Sequence, residues 1–228
     1  MKRILTTLSQ KWPEYILEIF VLVIGIYGAF ALERWNENRN KSEFERATLE
    51  RMLINLKSDR ENLEAIYHYF RRAVYSTEKL LVLDQASLKS DSLKYWLGNV
   101  VQFTRFQPLT NAYEVLRSRG LDVLSNRDLA YQIGKYYDDD AQGIIKTIAD
   151  IEYSFNEDWV PILRKDVADF QFRKFMILSD WKSLIEDGEA RKVVILNRDN
   201  YSTGSEQIEQ VLSSLNELIL AVEAEINK

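Results

Sequence analysis

Residues Tyr15–Leu32, YILEIFVLVIGIYGAFAL, make an almost wholly apolar run interrupted by one acid, Glu18. A helix rises ~1.5 Å per residue, so this run covers ~27 Å, close to the ~30 Å hydrocarbon core of a bilayer. The reading is a membrane span at 12–35 behind a basic tail at 1–11. Trp12 and Trp35 are 23 residues apart, or ~35 Å along a helix, which sets one indole at each interface. The leader MKRILTTLSQK is basic, like that of a secretory signal. The apolar run is longer than the core of such a signal, and no small-x-small cleavage site follows it in LERWNENR. A retained span is therefore expected, with the lipid bilayer as its first partner.

Orientation is less sharply encoded. Lys2, Arg3 and Lys11 precede the span, and Arg34, Arg39, Lys41 and Arg46 follow it. Only Lys and Arg count in the positive-inside rule, and here they nearly balance. The short basic leader favours a cytoplasmic N-terminus, which sends the C-terminal part out of the cytoplasm.

About 195 residues follow the span, enough for a domain with a real core. The formal net charge is -5, which argues against a nucleic-acid partner. The chain has no cysteine, which excludes disulfides and thiol chemistry. It has one histidine, His68, so zinc and most transition-metal sites lack ligands, and no cofactor is expected. With only 8 glycines and 3 prolines among many helix formers, the expected fold class is all-α.

From Asn36 to about Leu83 there is no glycine or proline. A heptad runs through Leu49, Leu53, Leu56, Arg60, Leu63, Tyr67, Phe70, Val74, Thr77 and Leu81, and only Arg60 and Thr77 in it are not apolar. That pattern predicts a coiled-coil or helical-hairpin seam, with KSDRENLE on the solvent face. One long helix is thus expected from about Pro13 to about Leu83, made of the span and an amphipathic stalk that, with its loop, covers 36–90. The loop is DQASLKSDS, and a helical domain at 91–228 follows.

Within that domain a second helix carries Leu93, Trp96, Leu97, Val100 and Phe103 and is broken at Pro108. Asn111 with Glu114 fits a capping box, and Gly120 is placed to stop that helix. Ser125 is placed to cap a helix running to about Trp159, before Pro161. Residues 162–178 hold apolar side chains without a sustained period and read as irregular helix. Asp180 or Ser179 can cap WKSLIED. Ile208, Leu212, Leu215, Ile219, Val222 and Ile226 define a last helix at about 200–227, which pairs with the stalk or with another copy of the chain.

Glu18 is the costly residue of the span, because an ionised acid in lipid is expensive unless it pairs, snorkels or protonates. Glu18, Val21, Gly25, Gly28, Leu32 and Trp35 fall on one helical face, and Gly25 with Ala29 makes a small-xxx-small pair. A small-residue face with an acid suggests packing between spans and hence a homo-oligomer. A proton or cation path is the alternative. The face continues through Arg39, Ser42 and Arg46 into the Leu49 seam, with Arg39 and Arg46 expected at the headgroups.

Asp138-Asp139-Asp140 reads as a solvated acidic turn, because adjacent helical residues diverge and the spacing of a calcium loop is absent. The many Tyr and Trp residues, at helical spacing, read as core and interface before they read as a ligand pocket. No phosphate loop, nucleophile elbow or paired-carboxylate motif is present. The expectation is a non-enzymatic, self-associating scaffold or sensor-like module. The alternatives are an ion- or proton-conducting assembly using Glu18, and an envelope hydrolase whose carboxylates converge only in the fold.

Two blocks carry a family resemblance. EIFVLVIGIYGAFALERWNENR, at Glu18–Arg39, resembles the E-I-x-L-V-x-x-G-I-x-x-A…W-N-E-x-R signature of an uncharacterised bacterial family of single-span membrane proteins. NAYEVLRSRGLDVLSNRDL, at Asn111–Leu129, resembles that family's A-Y-E-x-L-K-S-x-G-L-x-x-I-S-N-x-x-L block. Tyr27-Gly28 and Phe30 stand where bulky aliphatics are usual. The resemblance implies a helical domain anchored in a bacterial inner membrane and implies no activity.

Overall fold

The computed structural model describes residues 2–84, 90–186 and 188–228, with side chains for Trp12 and from Ile16 onward. The basic side chains of the leader and the centre of the loop expected after Leu83 lie outside the described residues. The chain is 81% helical and 4% strand, so the all-α reading holds. It divides into two units, Met1–Ala47 and Thr48–Lys228.

Helix α1 covers Lys2–Leu81. Its part in the first unit contains a stretch near the N-terminus long and apolar enough to cross a membrane.

The second unit starts at Thr48, so the segment expected as a stalk ahead of the domain is a core helix of the domain. The reason is visible in its buried face. Leu49, Met52, Leu56, Asp59, Leu63, Ile66, Phe70, Ala73, Thr77 and Leu80 are all buried. The expected line through Leu53, Arg60, Tyr67, Val74 and Leu81 is only half-buried. The true face alternates three and four rather than four and three, which turns it toward the preceding residue in each heptad. Asp59, read from sequence as part of the solvent face, is in the core.

Helix α2 (Leu93–Val100) stops before Phe103. An extended segment then leads to α3 (Asn111–Arg119), which ends at Gly120 in a positive-φ conformation, as expected. Thr110 rather than Asn111 precedes the first turn, and the Asn111 side chain accepts from the Ala112 N–H. Helix α4 (Arg127–Lys135) is capped by Asn126, whose side chain accepts from the Leu129 N–H, and not by Ser125.

A π-helical turn at Tyr136–Asp140 joins α4 to α5 (Ala141–Ser154), and a second at Phe155–Trp159 leads into α6 (Val160–Asp166). The helix was expected to stop before Pro161, yet it continues through it. A proline inside a helix lacks the N–H and collides with the carbonyl four residues back. The widened turn at Phe155–Trp159 makes room for that carbonyl and resets the register, so Pro161 sits in the first turn of α6.

Residues 167–178 are not helical. Strands β1 (Val167–Gln171) and β2 (Phe175–Leu178) form an antiparallel hairpin with pairs such as Phe170↔Met176 and Gln171↔Phe175. Aromatic and branched residues suit strands, but the turn carries no Gly or Asn to announce it. Arg173 takes the left-handed position at φ 64° that such a turn usually assigns to glycine. The short α7 (Lys182–Ile185) is preceded by Asp180, which accepts from the Lys182 N–H. Helix α8 is Glu189–Ile226, starting well before the expected position near 200.

The core is made where α1, α5 and α8 meet. Lys57 pairs with Glu223 at 2.6 Å, Arg60 with Asn216, Phe70 with Tyr201, and the Arg191 guanidinium donates to the Leu81 carbonyl. Rising numbers on α1 meet falling numbers on α8, so the two run antiparallel. Both heptad seams are closed against each other and the rest of the same unit. Of the two partners expected for the last helix, the one α8 packs on is the Thr48–Leu81 part of α1.

A polar chain crosses this core. Trp159 Nε1–H donates to Asn197 Oδ1 at 2.8 Å, Asn197 Nδ2 donates to Ser154 Oγ at 2.8 Å, and Ser154 Oγ donates to Asp158 at 2.6 Å. Trp159 and Asn197 are buried, so each partner is needed. Asn197→Ala strands the indole N–H and is expected to lower unfolding free energy by about 2–3 kcal/mol, whereas exposed Asp199→Ala stays within about 0.5 kcal/mol. Urea unfolding followed by circular dichroism reads both.

Candidate functional sites in the span and the helical unit

Every described residue from Ile16 to Trp35 is exposed, and the apolar window has mean hydropathy 2.1 with 0% of it buried. Helical geometry puts Glu18, Gly25 and Ala29 on one face with Gly28 beside it. A Cβ added at Gly25 or Gly28 would meet nothing within 4 Å. Among the described residues, nothing requires those two glycines to be small. Trp12 and Trp35 are exposed at the two ends of the run. Arg39 Nε lies 2.8 Å from Glu43 Oε1, one turn on, with both side chains exposed. Such a pair contributes about 0.3–0.5 kcal/mol to the helix.

The helical unit contains a buried acid that periodicity concealed. Asp59 is 0% exposed. Its Oδ1 accepts from the Leu109 N–H at 2.9 Å and its Oδ2 from the Tyr136 hydroxyl at 2.9 Å. Burial holds its carboxyl above the usual carboxylate value, and the two hydrogen bonds oppose that shift without cancelling it. Burial also pushes the Tyr136 hydroxyl up, helped by the adjacent Asp59 charge. Tyr137 donates to the Leu109 carbonyl at 3.2 Å and stacks on Tyr113 at 4.5 Å. The Tyr113 hydroxyl donates to Asp138 and is pushed up to about 12, first by burial and then by that carboxylate.

These groups solve a backbone problem. The segment 101–110 is irregular, so its polar groups have no helix or sheet to satisfy them. Asp59 and Tyr137 hold it at Leu109. At its other end the Tyr69 and Tyr201 hydroxyls lie 2.6 Å apart, each 2.9 Å from the Gln102 carbonyl, with Tyr201 also 3.0 Å from that of Val100. Burial pushes both hydroxyls upward, so both stay protonated and keep donating. The tyrosines are core residues whose polar ends staple a loop.

That stapled segment forms one wall of a groove of about 960 Å³. Arg72 on α1, Arg105 in the segment and Arg173 at the hairpin tip all line it. Arg173 donates to the Phe103 carbonyl at 3.2 Å and lies 5.6 Å from the Phe172 ring. Arg105 lies 5.5 Å from the Phe103 ring and is paired with Glu152 on α5. No carboxylate is among the described lining residues. The three arginines come from elements far apart in sequence, so no motif marks them.

The acidic run behaves otherwise than a plain turn. Asp138, Asp139 and Asp140 lie in the first π-helical turn, with Arg117 and the Tyr113 hydroxyl on Asp138, and Lys135 on Asp140 at 2.9 Å. Among the described residues no group of three or more His, Cys, Asp or Glu is arranged to hold a metal ion. His68 is exposed, edge-on to Tyr67.

Among the described residues, the exposed apolar helix and the arginine-lined groove both carry side chains that packing within the chain does not explain. No protein-family model, curated protein or solved structure matches this chain.

Proposed function

We propose that this protein is a non-enzymatic, membrane-anchored sensor-like module of a bacterial inner membrane, a single-pass member of the family its two sequence blocks resemble, whose copies associate through their spans. The helical unit lies outside the cytoplasm, as the basic leader favours. The observation that carries the association is the exposed Glu18–Gly25–Ala29 face, where small residues serve no contact within the chain. Small residues let helix backbones approach, and a polar group in lipid gains most from a partner on a neighbouring helix. Both heptads are consumed inside the Thr48–Lys228 unit. The span then offers an exposed apolar surface for association between copies.

The test is cross-linking of the full chain in native membranes. Wild type is expected to give a discrete dimer or higher band, which Glu18→Gln weakens and Gly25→Leu abolishes. Monomer alone in wild type, or an oligomer indifferent to both changes, would overturn the reading.

A further inference from the structure

We infer that the groove between Arg72, Arg105 and Arg173 is a binding site for a small organic oxyanion carrying about two negative charges, through carboxylate or phosphate groups. The inference goes beyond association through the span and stands or falls separately from it.

The charge is the first argument. The chain has a formal net charge of -5, yet three guanidinium groups converge on this groove with no described carboxylate among its lining residues. Like charges repel, and an acidic protein has carboxylates to spare, as the pairs on Lys57, Lys135 and Arg117 show. Glu152 accompanies Arg105 at its outer side. That leaves Arg72 and Arg173, among the described lining residues, as positive charges of the groove with no carboxylate on its walls. A ligand bearing two negative charges completes this balance.

The second argument is construction. Arg173 occupies a left-handed backbone position that L side chains rarely adopt. Its side chain is fixed by the Phe103 carbonyl and lies against Phe172. The hairpin bearing it is seated directly on Gly98 of α2, where no Cβ would fit. The Tyr69 and Tyr201 hydroxyls clamp the facing wall at Gln102. A guanidinium held by such contacts, as that of Arg173 is, loses little freedom when it binds, and its planar fork matches carboxylate and phosphate oxygens.

The third argument is size and lining. About 960 Å³ is at the upper end for small-molecule sites and far exceeds a bare phosphate ion. The side-chain amides of Asn62, Asn99 and Gln107 add donors and acceptors, and Phe103 and Phe106 add apolar surface. Such a lining suits an organic body bearing the anionic groups.

The experiment uses the full chain in nanodiscs of phosphatidylcholine, with succinate and glycerol phosphate as probes, read by calorimetry and by the unfolding midpoint. At least one probe is expected to bind saturably and raise the midpoint. Arg72→Gln with Arg173→Gln is expected to weaken it by at least about tenfold, since charge-assisted hydrogen bonds to the ligand are lost. Lys192→Gln, on exposed α8 surface, is expected to leave it unchanged. A second arm replaces phosphatidylcholine with phosphatidylglycerol and omits the probes. A midpoint rise there that disappears in the double arginine variant assigns the same oxyanion site to a lipid headgroup. Absence of saturable binding in both arms, or equal weakening by Lys192→Gln, overturns the inference. Wild-type cross-linking reads the span independently.

Discussion

Gly98→Ala is expected to destabilise the helical unit by about 2–4 kcal/mol, although alanine is the better helix former by about 1 kcal/mol. Gly98 is in α2, which packs on β2. A Cβ there would meet Phe175 Cα at 2.5 Å, the Lys174 carbonyl oxygen at 2.6 Å and the Lys174 carbonyl carbon at 2.8 Å. These are backbone atoms, so no change of rotamer relieves the clash, and the hairpin has to move as a body. Gly134 supplies the contrast. It too is helical, in α4, and nothing lies within 4 Å of the Cβ it would gain. Gly134→Ala is expected to raise stability by about 0.5–1 kcal/mol from propensity and unfolded-state entropy. Urea unfolding of both variants checks the pair, and equal stabilisation by both would mean that the hairpin does not seat on α2. Because Arg173 rides on that hairpin, Gly98→Ala is also expected to weaken anion binding in the groove.

The second large effect is at Asp59. Asp59→Ala leaves the Leu109 N–H and the Tyr136 hydroxyl without their acceptor in a buried site. Each stranded group costs about 1–3 kcal/mol, so a total loss of about 3–5 kcal/mol is expected. Asp59→Asn keeps the shape and one acceptor, and is expected to cost about 1 kcal/mol or less near neutral pH.

The asparagine variant also isolates a pH dependence. Burial raises the folded-state value of Asp59 above its ordinary 3.8, so over that interval the folded protein holds a proton the unfolded chain has lost. Stability from this group therefore falls as pH rises from about 3.8 through the raised folded value, and is level above it. Asp59→Asn has no such proton. Its stability relative to wild type is expected to improve across that interval, as read by unfolding the two proteins at matched pH. A gap that stays constant, or widens against the variant, contradicts the burial of a carboxyl here.

Legibility followed the physics of each element. The apolar helix could be read from sequence because run length and composition alone make a segment long and apolar enough to cross a membrane. The α1 and α8 heptads were legible as seams because periodicity records one buried face. It does not record which partner covers that face, and here each covers the other within one unit. The exact face was also half a register away. The heptad puts Arg60 on the seam and Asp59 outside it, because a pattern of apolar residues cannot reveal an acid buried with two donors of its own. The hairpin at 167–178 carries no sequence signal because its turn uses Arg173 where a glycine or asparagine would announce it. Pro161 looked like a stop because only the preceding π-helical turn makes room for it.

What the sequence determined by itself was the class of the protein: an apolar helix able to span a membrane, joined to an all-α unit with two internal seams. These follow from short-range regularities, run length and helical period, which every residue reports locally. The tertiary structure alone decided that the seams close on each other, that Asp59 and the tyrosines staple an irregular loop, and that Arg72, Arg105 and Arg173 share a groove. Those residues lie tens of positions apart, and their chemistry emerges only when close packing removes the water between them.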